Sequence, residues 1–225
     1  MPRLCSSLVV GSCRVLCRNN LRASWTGFCQ YSSLVDTSCL PRELLTFAVE
    51  LRHLEKHRRK LTGSPRAAVL VPFCLYQDQL SLLFTWRSLL VGSHKGQVSF
   101  PGGKLDVLDR GDAIRASLRE THEEIGISPG TVVTLGLFDD YRSINGYNVT
   151  PVIGFLGPVE RQKLRVNERE VQEVFMLSLV HLLQESNMRV EHTSRGDMPI
   201  YNGGPVEIWG LTAFILRDIL KIFPK

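Results

Sequence analysis

Beyond residue 40 this chain has a single cysteine, Cys74; Cys5, Cys13, Cys17, Cys29 and Cys39 all come earlier. The body therefore cannot close a disulfide on itself, which fits a reduced, intracellular setting. No C-x-x-C pair occurs, so a cysteine zinc site has no support. Cys74 lies in the apolar run Val69–Leu75 and reads as a small buried side chain rather than a nucleophile. Long apolar runs are missing too. Nothing approaches the roughly 20 residues of a spanning helix, which argues against stable membrane insertion. A basic excess is missing from most of the chain, although the net charge is +5. Arg3, Arg14, Arg18 and Arg22 stand in the first 35 residues with no acid, while the remainder is almost neutral. Without a clustered basic face, nucleic acid is not expected as a partner.

The acid-free segment 1–35, rich in Arg and Ser and mildly amphipathic around Leu8–Leu16, has the composition of a mitochondrial transit peptide. A basic amphipathic helix is drawn to a negative membrane face and potential. Tyr31-Ser32-Ser33 is a candidate removal site, with the mitochondrial matrix as destination. The alternative is an unfolded cytosolic extension. Residues 36–63 then read as a helical extension: Leu44, Leu45, Phe47, Ala48, Leu51 and Leu54 recur at helical spacing from Pro41 to Lys60, before Gly63-Ser64-Pro65. His57-Arg58-Arg59-Lys60 reads as a solvated helix end.

The domain proper spans 64–225. Strands are expected at Ala67–Leu75, Leu80–Trp86, Gln97–Phe100, Thr131–Phe138 and Asn148–Gly154, with a turn at Tyr76–Gln79. Helices are expected at Ala113–Ile125, stopped by Gly126, at Leu177–Leu183 and at Trp209–Ile222. Strands on both sides of a central helix imply an α+β fold, an α/β/α sandwich with a mixed sheet between helices.

The central helix carries the chemistry. Glu120, Glu123 and Glu124 stand at i, i+3 and i+4, on one face within about a turn. Three carboxylates so close repel unless a cation lies among them, and Mg²⁺ or Mn²⁺ suits carboxylate oxygens and substrate phosphates. Arg119 can pair with one glutamate and fix its rotamer. Upstream, Phe100-Pro101-Gly102-Gly103 makes a sharp turn whose glycines let backbone approach a ligand. Glu-x-x-Glu-Glu alone is an ordinary solvated face. Five fixed positions in R-E-x-x-E-E-x-G, each drawn at about one in fifteen, arise by chance only on the order of a few times in ten thousand over such a length.

These residues resemble the Nudix hydrolase box, G-x5-E-x7-R-E-U-x-E-E-x-G-U with U aliphatic, over about 103–127. Gly103, Arg119, Glu120, Glu123, Glu124, Gly126 and Ile127 match. Fifteen residues instead of thirteen separate Gly103 from Arg119, Gly111 stands where the box has its first glutamate, and Thr121 replaces an aliphatic residue. The longer acidic loop Asp106–Asp112 and the stretch Arg87-Ser88…Gly96…Phe100-Pro101-Gly102-Gly103 resemble the coenzyme A diphosphatase branch, with Gly92 at a basic position and Lys95 as a stand-in. Further likeness lies at Glu170–Phe175 and Trp209–Thr212.

The resemblance implies a small-molecule substrate, coenzyme A or acyl-CoA, split to 3′,5′-ADP and (acyl-)4′-phosphopantetheine by a monomer or homodimer. Glu120 and Glu124, with Glu123, are the expected metal ligands. Glu123, Glu170 or Glu173 is the expected base, and Arg119 orients the ligands. Arg87, Ser88, Lys95, Gly96, Gly102 and Gly103 are expected at the substrate, Arg87 because its planar fork fits phosphate oxygens. His94 and His122 have no second ligand at metal spacing and read as ordinary polar residues. NADH, ADP-ribose or a nucleoside triphosphate is the rival substrate, and a catalytically silent binding module the rival class.

Overall fold

The computed structural model describes residues 40–55, 58–63, 65–90, 94–194 and 196–224. The expected transit segment 1–35 lies outside them, as does His57. In chain order the elements are α1 (Arg42–Glu55), β1 (Arg66–Tyr76), β2 (Gln79–Arg87), β3 (Val98–Ser99), β4 (Gly102–Lys104), α2 (Ala113–Ile125), β5 (Val133–Leu137), β6 (Tyr141–Arg142), β7 (Asn148–Pro158), β8 (Val171–Ser178), α3 (Leu179–Leu182), β9 (Met188–Thr193), β10 (Gly196–Tyr201) and α4 (Gly210–Ile222).

Apolar, β-branched and aromatic residues dominate β1 and β2. They form a hairpin through Gln77 and Asp78 at φ 50° and 60°, the pair of left-handed residues that suits the strand twist. The hairpin then forks. Phe73–Tyr76 of β1 pair antiparallel with Gln79–Leu82, but Ala67–Val69 pair with β4 instead, and Thr85 and Trp86 of β2 pair with β3. Only Phe100 and Pro101 separate β3 from β4, so this short segment fills the wedge. Pro101 lacks an N–H, and its carbonyl accepts the Leu70 N–H at 2.8 Å. Along the other edge of β1, β7 runs parallel, with β5 and β6 antiparallel beyond it; β8 pairs antiparallel with β2. The sheet is mixed.

Helices cover both faces. Ala113, Ala116 and Leu118 of α2 pack on Ala68, Leu70 and Val152. On the opposite face Leu44, Phe47 and Leu51 of α1 and Ala213, Leu216 and Ile219 of α4 share one core with Val71, Phe73, Phe84, Phe100 and Ile153. The rings of Phe47, Phe73 and Phe223 lie 5.2–5.7 Å apart. Each fully buried side chain contributes about 1.5–3 kcal/mol, so α1 belongs energetically to the core.

Two expectations need correction, and one element is additional. Val171–Ser178 is a strand and the helix after it is a single turn, because pairing with β2 outweighs local preference. The antiparallel hairpin β9–β10 forms a separate two-stranded sheet over a stretch with no strand expectation above. Arg58 is not solvated: its side chain is 8% exposed, donates to the Phe138 carbonyl at 3.1 Å and pairs with Asp140 at 3.5 Å. Asp140 also accepts from Leu61 N–H and the Thr150 hydroxyl. The segment after α1 is thereby fastened to the loop before β6. Among the described residues no helix is long and apolar enough to cross a membrane.

Candidate active site

α2 begins where Asp112 accepts from the Ile114 and Arg115 amides and ends at Gly126, φ 76°, whose N–H caps the His122 carbonyl. A Cβ at Gly126 would lie 2.6 Å from the Arg165 Cβ. Glycine there lets the loop after β7 close on the helix: Arg165 N–H donates to the Ile125 carbonyl and Asn167 N–H to the Glu124 carbonyl. At its far end the loop carries Glu170, whose carbonyl accepts the Ser88 N–H at 2.9 Å. Helix, loop and the end of β2 thus converge on one place.

Glu124 is 2% exposed. Burial above all lifts its carboxyl to about pH 8, the charges of Glu120 and Glu170 add to that, and Arg87 opposes it. Arg87 Nη1 lies 3.5 Å from Oε1, while Oε2 has no hydrogen-bond partner. Glu120 is half-buried, and its carboxyl is raised by burial, by Glu123 and by Glu170 against the pull of Arg119. It lies so close to β4 that a Cβ at Gly103 would be 2.5 Å from its Cδ. Glu123 is about half exposed and bonds Arg119 Nη1 at 3.0 Å. Glu120, Glu124 and Glu170 therefore share one field beside the Gly102-Gly103 turn.

Sequence reasoning missed Asp109. It is 2% exposed, ten residues before Arg119, and receives Arg119 Nε at 3.1 Å and Nη2 at 3.0 Å. Its Oδ2 also accepts the Asp106 N–H, while Asp106 caps Leu108 in return. Arg119 Nη2 reaches the Lys104 carbonyl at 3.2 Å, and Nη1 reaches Glu120 at 2.9 Å. The pattern D-x-x-D of a reciprocal cap, at Asp106 and Asp109, was the available signal. The altered loop thus supplies an acid to Arg119 although Gly111 occupies the box position.

Other expected residues divide. Arg87 faces the acids. Ser88 is 6% exposed and its hydroxyl accepts the Leu90 N–H, a turn-forming role. Gly96, φ 65°, offers its carbonyl to Trp86 Nε1, and Lys95 beside it is exposed. Glu173 is bound by Arg161 at 2.7 Å. His94 bonds Gln97 and Asn145, and His122 is exposed. Burial pushes the Cys74 thiol up to about 12, which suits an inert core side chain.

Among the described residues no three His, Cys or acidic side chains converge as a ready cation cage. The guanidinium groups explain this, since Arg119 Nη1 bridges Glu120 and Glu123 at 2.9 and 3.0 Å and Arg87 draws on Glu124, so the acids are engaged by cations of the chain itself. The donor set still fits a hard divalent cation. It is all carboxylate oxygen, one oxygen is buried and unpartnered, and the acids repel one another until positive charge is added.

The NUDIX domain model matches residues 64–194, more than half of the chain, and the chain belongs to the Nudix hydrolase family. Within it, the chain is 44% identical over 176 residues to the mitochondrial coenzyme A diphosphatase NUDT8 of Mus musculus, covering 75% of this chain and 83% of that protein. It is 43% identical over 162 residues to the Homo sapiens protein of the same name, covering 69% and 68%. It is also 37% identical over 165 residues to the Nudix hydrolase NudL of Escherichia coli strain K12, covering 72% and 84%.

Proposed function

We propose that this Nudix enzyme hydrolyses the diphosphate of coenzyme A and acyl-CoA, releasing 3′,5′-ADP and (acyl-)4′-phosphopantetheine. The observation that carries the reading is the joining of the Arg87-Ser88 stretch to the acids, Arg87 by its contact with Glu124 and Ser88 by its bond to the Glu170 backbone. The names of the mouse and human relatives support the same substrate.

Glu120 and Glu124, with Glu123, would hold Mg²⁺ or Mn²⁺, which when bound would supply neutralisation of diphosphate oxygens and a more acidic water. Glu170 is the group placed to accept a proton from the attacking water. Of the three candidate bases Glu123 is tied to Arg119 and Glu173 to Arg161, whereas Glu170 is half-buried and electrostatically coupled to both Glu120 and Glu124. Arg87 orients the diphosphate. Arg119 keeps Glu120 and Glu123 in register, and the glycine turn lets the Glu120 carboxylate lie against Gly103 and β1 lie against Gly102. Residues 1–35 direct the chain to the mitochondrial matrix, in keeping with their composition and with the names of the two mammalian relatives.

A substrate panel with Mg²⁺ or Mn²⁺, separated by chromatography, tests the reading. Coenzyme A or an acyl-CoA should give the highest kcat/KM and yield 3′,5′-ADP. Faster turnover of NADH, ADP-ribose or a nucleoside triphosphate would overturn it. A fluorescent fusion of residues 1–40 that stays diffuse in the cytosol would overturn the destination.

A further inference from the structure

Lys104 follows the glycine turn directly, yet its side chain has no part in the site described above. Its backbone is committed: it pairs with Ala67 across β4 and β1, and its carbonyl accepts Arg119 Nη2. Because Gly103 faces Glu120, alternation along the strand sends the Lys104 side chain to the other side of β4. There the exposed ammonium lies over the Tyr147 ring, 5.2 Å from its centroid, with no carboxylate ion-paired to it among the described residues.

Tyr147 is half-buried on a well-fastened turn. Ser143 N–H donates to its carbonyl at 2.9 Å, and its own N–H donates to the Ser143 hydroxyl at 3.0 Å. Asn145 Nδ2 bonds His94 Nε2 at 2.9 Å, which ties this turn to the loop between β2 and β3. The ammonium is therefore held by an aromatic face on a braced loop, one residue from the turn that faces the acids.

Charge assigns the group a ligand. Coenzyme A carries a diphosphate and a separate 3′-monophosphate. Arg87 is turned toward Glu124, so its cation belongs to the diphosphate end. A second dianion beside Glu120 and Glu124 would be repelled, so the 3′-phosphate calls for a cation directed away from them. Lys104 meets that condition, while Lys95 is exposed without an aromatic restraint. We propose that Lys104, positioned by Tyr147, binds the 3′-phosphate of the nucleotide half of the substrate and distinguishes 3′-phosphorylated adenine nucleotides from those without it. The inference rests on the coenzyme A reading for the natural ligand.

Calorimetric titration of the full chain in Mg²⁺ buffer with 3′,5′-ADP and with 5′-AMP tests it apart from turnover. Wild type should bind 3′,5′-ADP about tenfold more tightly, the scale of one charge-assisted phosphate contact at a partly exposed site. K104Q should bring the two ligands to near parity with AMP affinity and melting temperature unchanged. Y147L should reduce the preference and Y147F should keep it. Equal binding by wild type, an undiminished preference in K104Q, equal weakening of both ligands, or loss of preference in K95Q instead would each overturn the assignment. If the preference behaves as expected while coenzyme A is not hydrolysed, the proposed function fails and the phosphate site stands.

Discussion

Replacing Asp109 by Asn tests whether the altered loop controls the acidic face of α2. The substitution keeps the side-chain shape but removes the charge and aims an amide N–H₂ or a single acceptor at Arg119. Two hydrogen bonds of 3.0 and 3.1 Å between charged partners are lost or weakened, one partner 3% and the other 25% exposed. Breaking a fully buried pair costs about 3–5 kcal/mol and an exposed one up to about 1, so about 2 kcal/mol is expected here. For a domain of this size that lowers Tm by about 4–8 °C at pH 7. Arg119 would then hold Glu120 and Glu123 loosely, and kcat should fall about 10- to 100-fold with KM little changed. Burial alone would raise the Asp109 carboxyl, but the bonds from Arg119 and the Asp106 N–H outweigh it and hold it below the usual range. Its stabilisation is therefore complete above the unfolded value of about 3.9 and is lost as pH falls through the lower folded value. Melting curves of both proteins from pH 7 to 3 read this directly, and the Tm gap should close only below about pH 4. Equal Tm at pH 7, or a loss of activity confined to KM, would refute the reasoning.

Glu124→Gln should abolish turnover and the rise in Tm on adding Mn²⁺. Since burial raises the Glu124 carboxyl to about 8, the wild-type protein without metal loses stability as pH climbs from about 4.3 to 8; the variant should melt higher by a margin that grows over that window, and a flat difference would contradict the burial argument. Gly103→Ala should displace the Glu120 carboxylate, a flexible side-chain end, and so reduce kcat with little change in Tm; Gly102→Ala, at φ 154° and 2.3 Å from the Ala68 carbonyl, should destabilise the fold itself. Thermal melts and rates on the two alanine variants separate these outcomes. Phe47→Ala should cost about 3–5 kcal/mol by denaturant unfolding, and a loss below 1 would detach α1 from the core.

Much of this was legible in the residues. The 3.6-residue period and Gly126 bounded α2 to the residue, because a cap at each end leaves little freedom. The β1–β2 hairpin was legible because alternation and a polar turn coincide. β8 was not, since its partner lies some ninety residues earlier and pairing is a tertiary fact. The acids of α2 were visible as a helical face, but their partners were not. Asp109 reaches Arg119 through a loop whose length hides the spacing; Glu170 is already a candidate in the sequence, but its backbone bond to Ser88 is a tertiary contact that the sequence does not show. The burial of Arg58 is not legible, because a basic run carries no sign of the carboxylate it meets some eighty residues later.

The family match begins at residue 64, but the hydrophobic unit begins earlier, at Leu40. A chain cut at the family boundary would leave Phe73 and Phe223 facing water where Phe47 had been, and Asp140 without Arg58. Exposed aromatics at that position would favour association between molecules, and the harm would reach the catalytic side through β1, which carries α2 on one face and α1 on the other. Any N-terminal trimming that leaves the fold intact must therefore stop before Leu40, which sets a physical limit on how much of the N-terminus can be discarded.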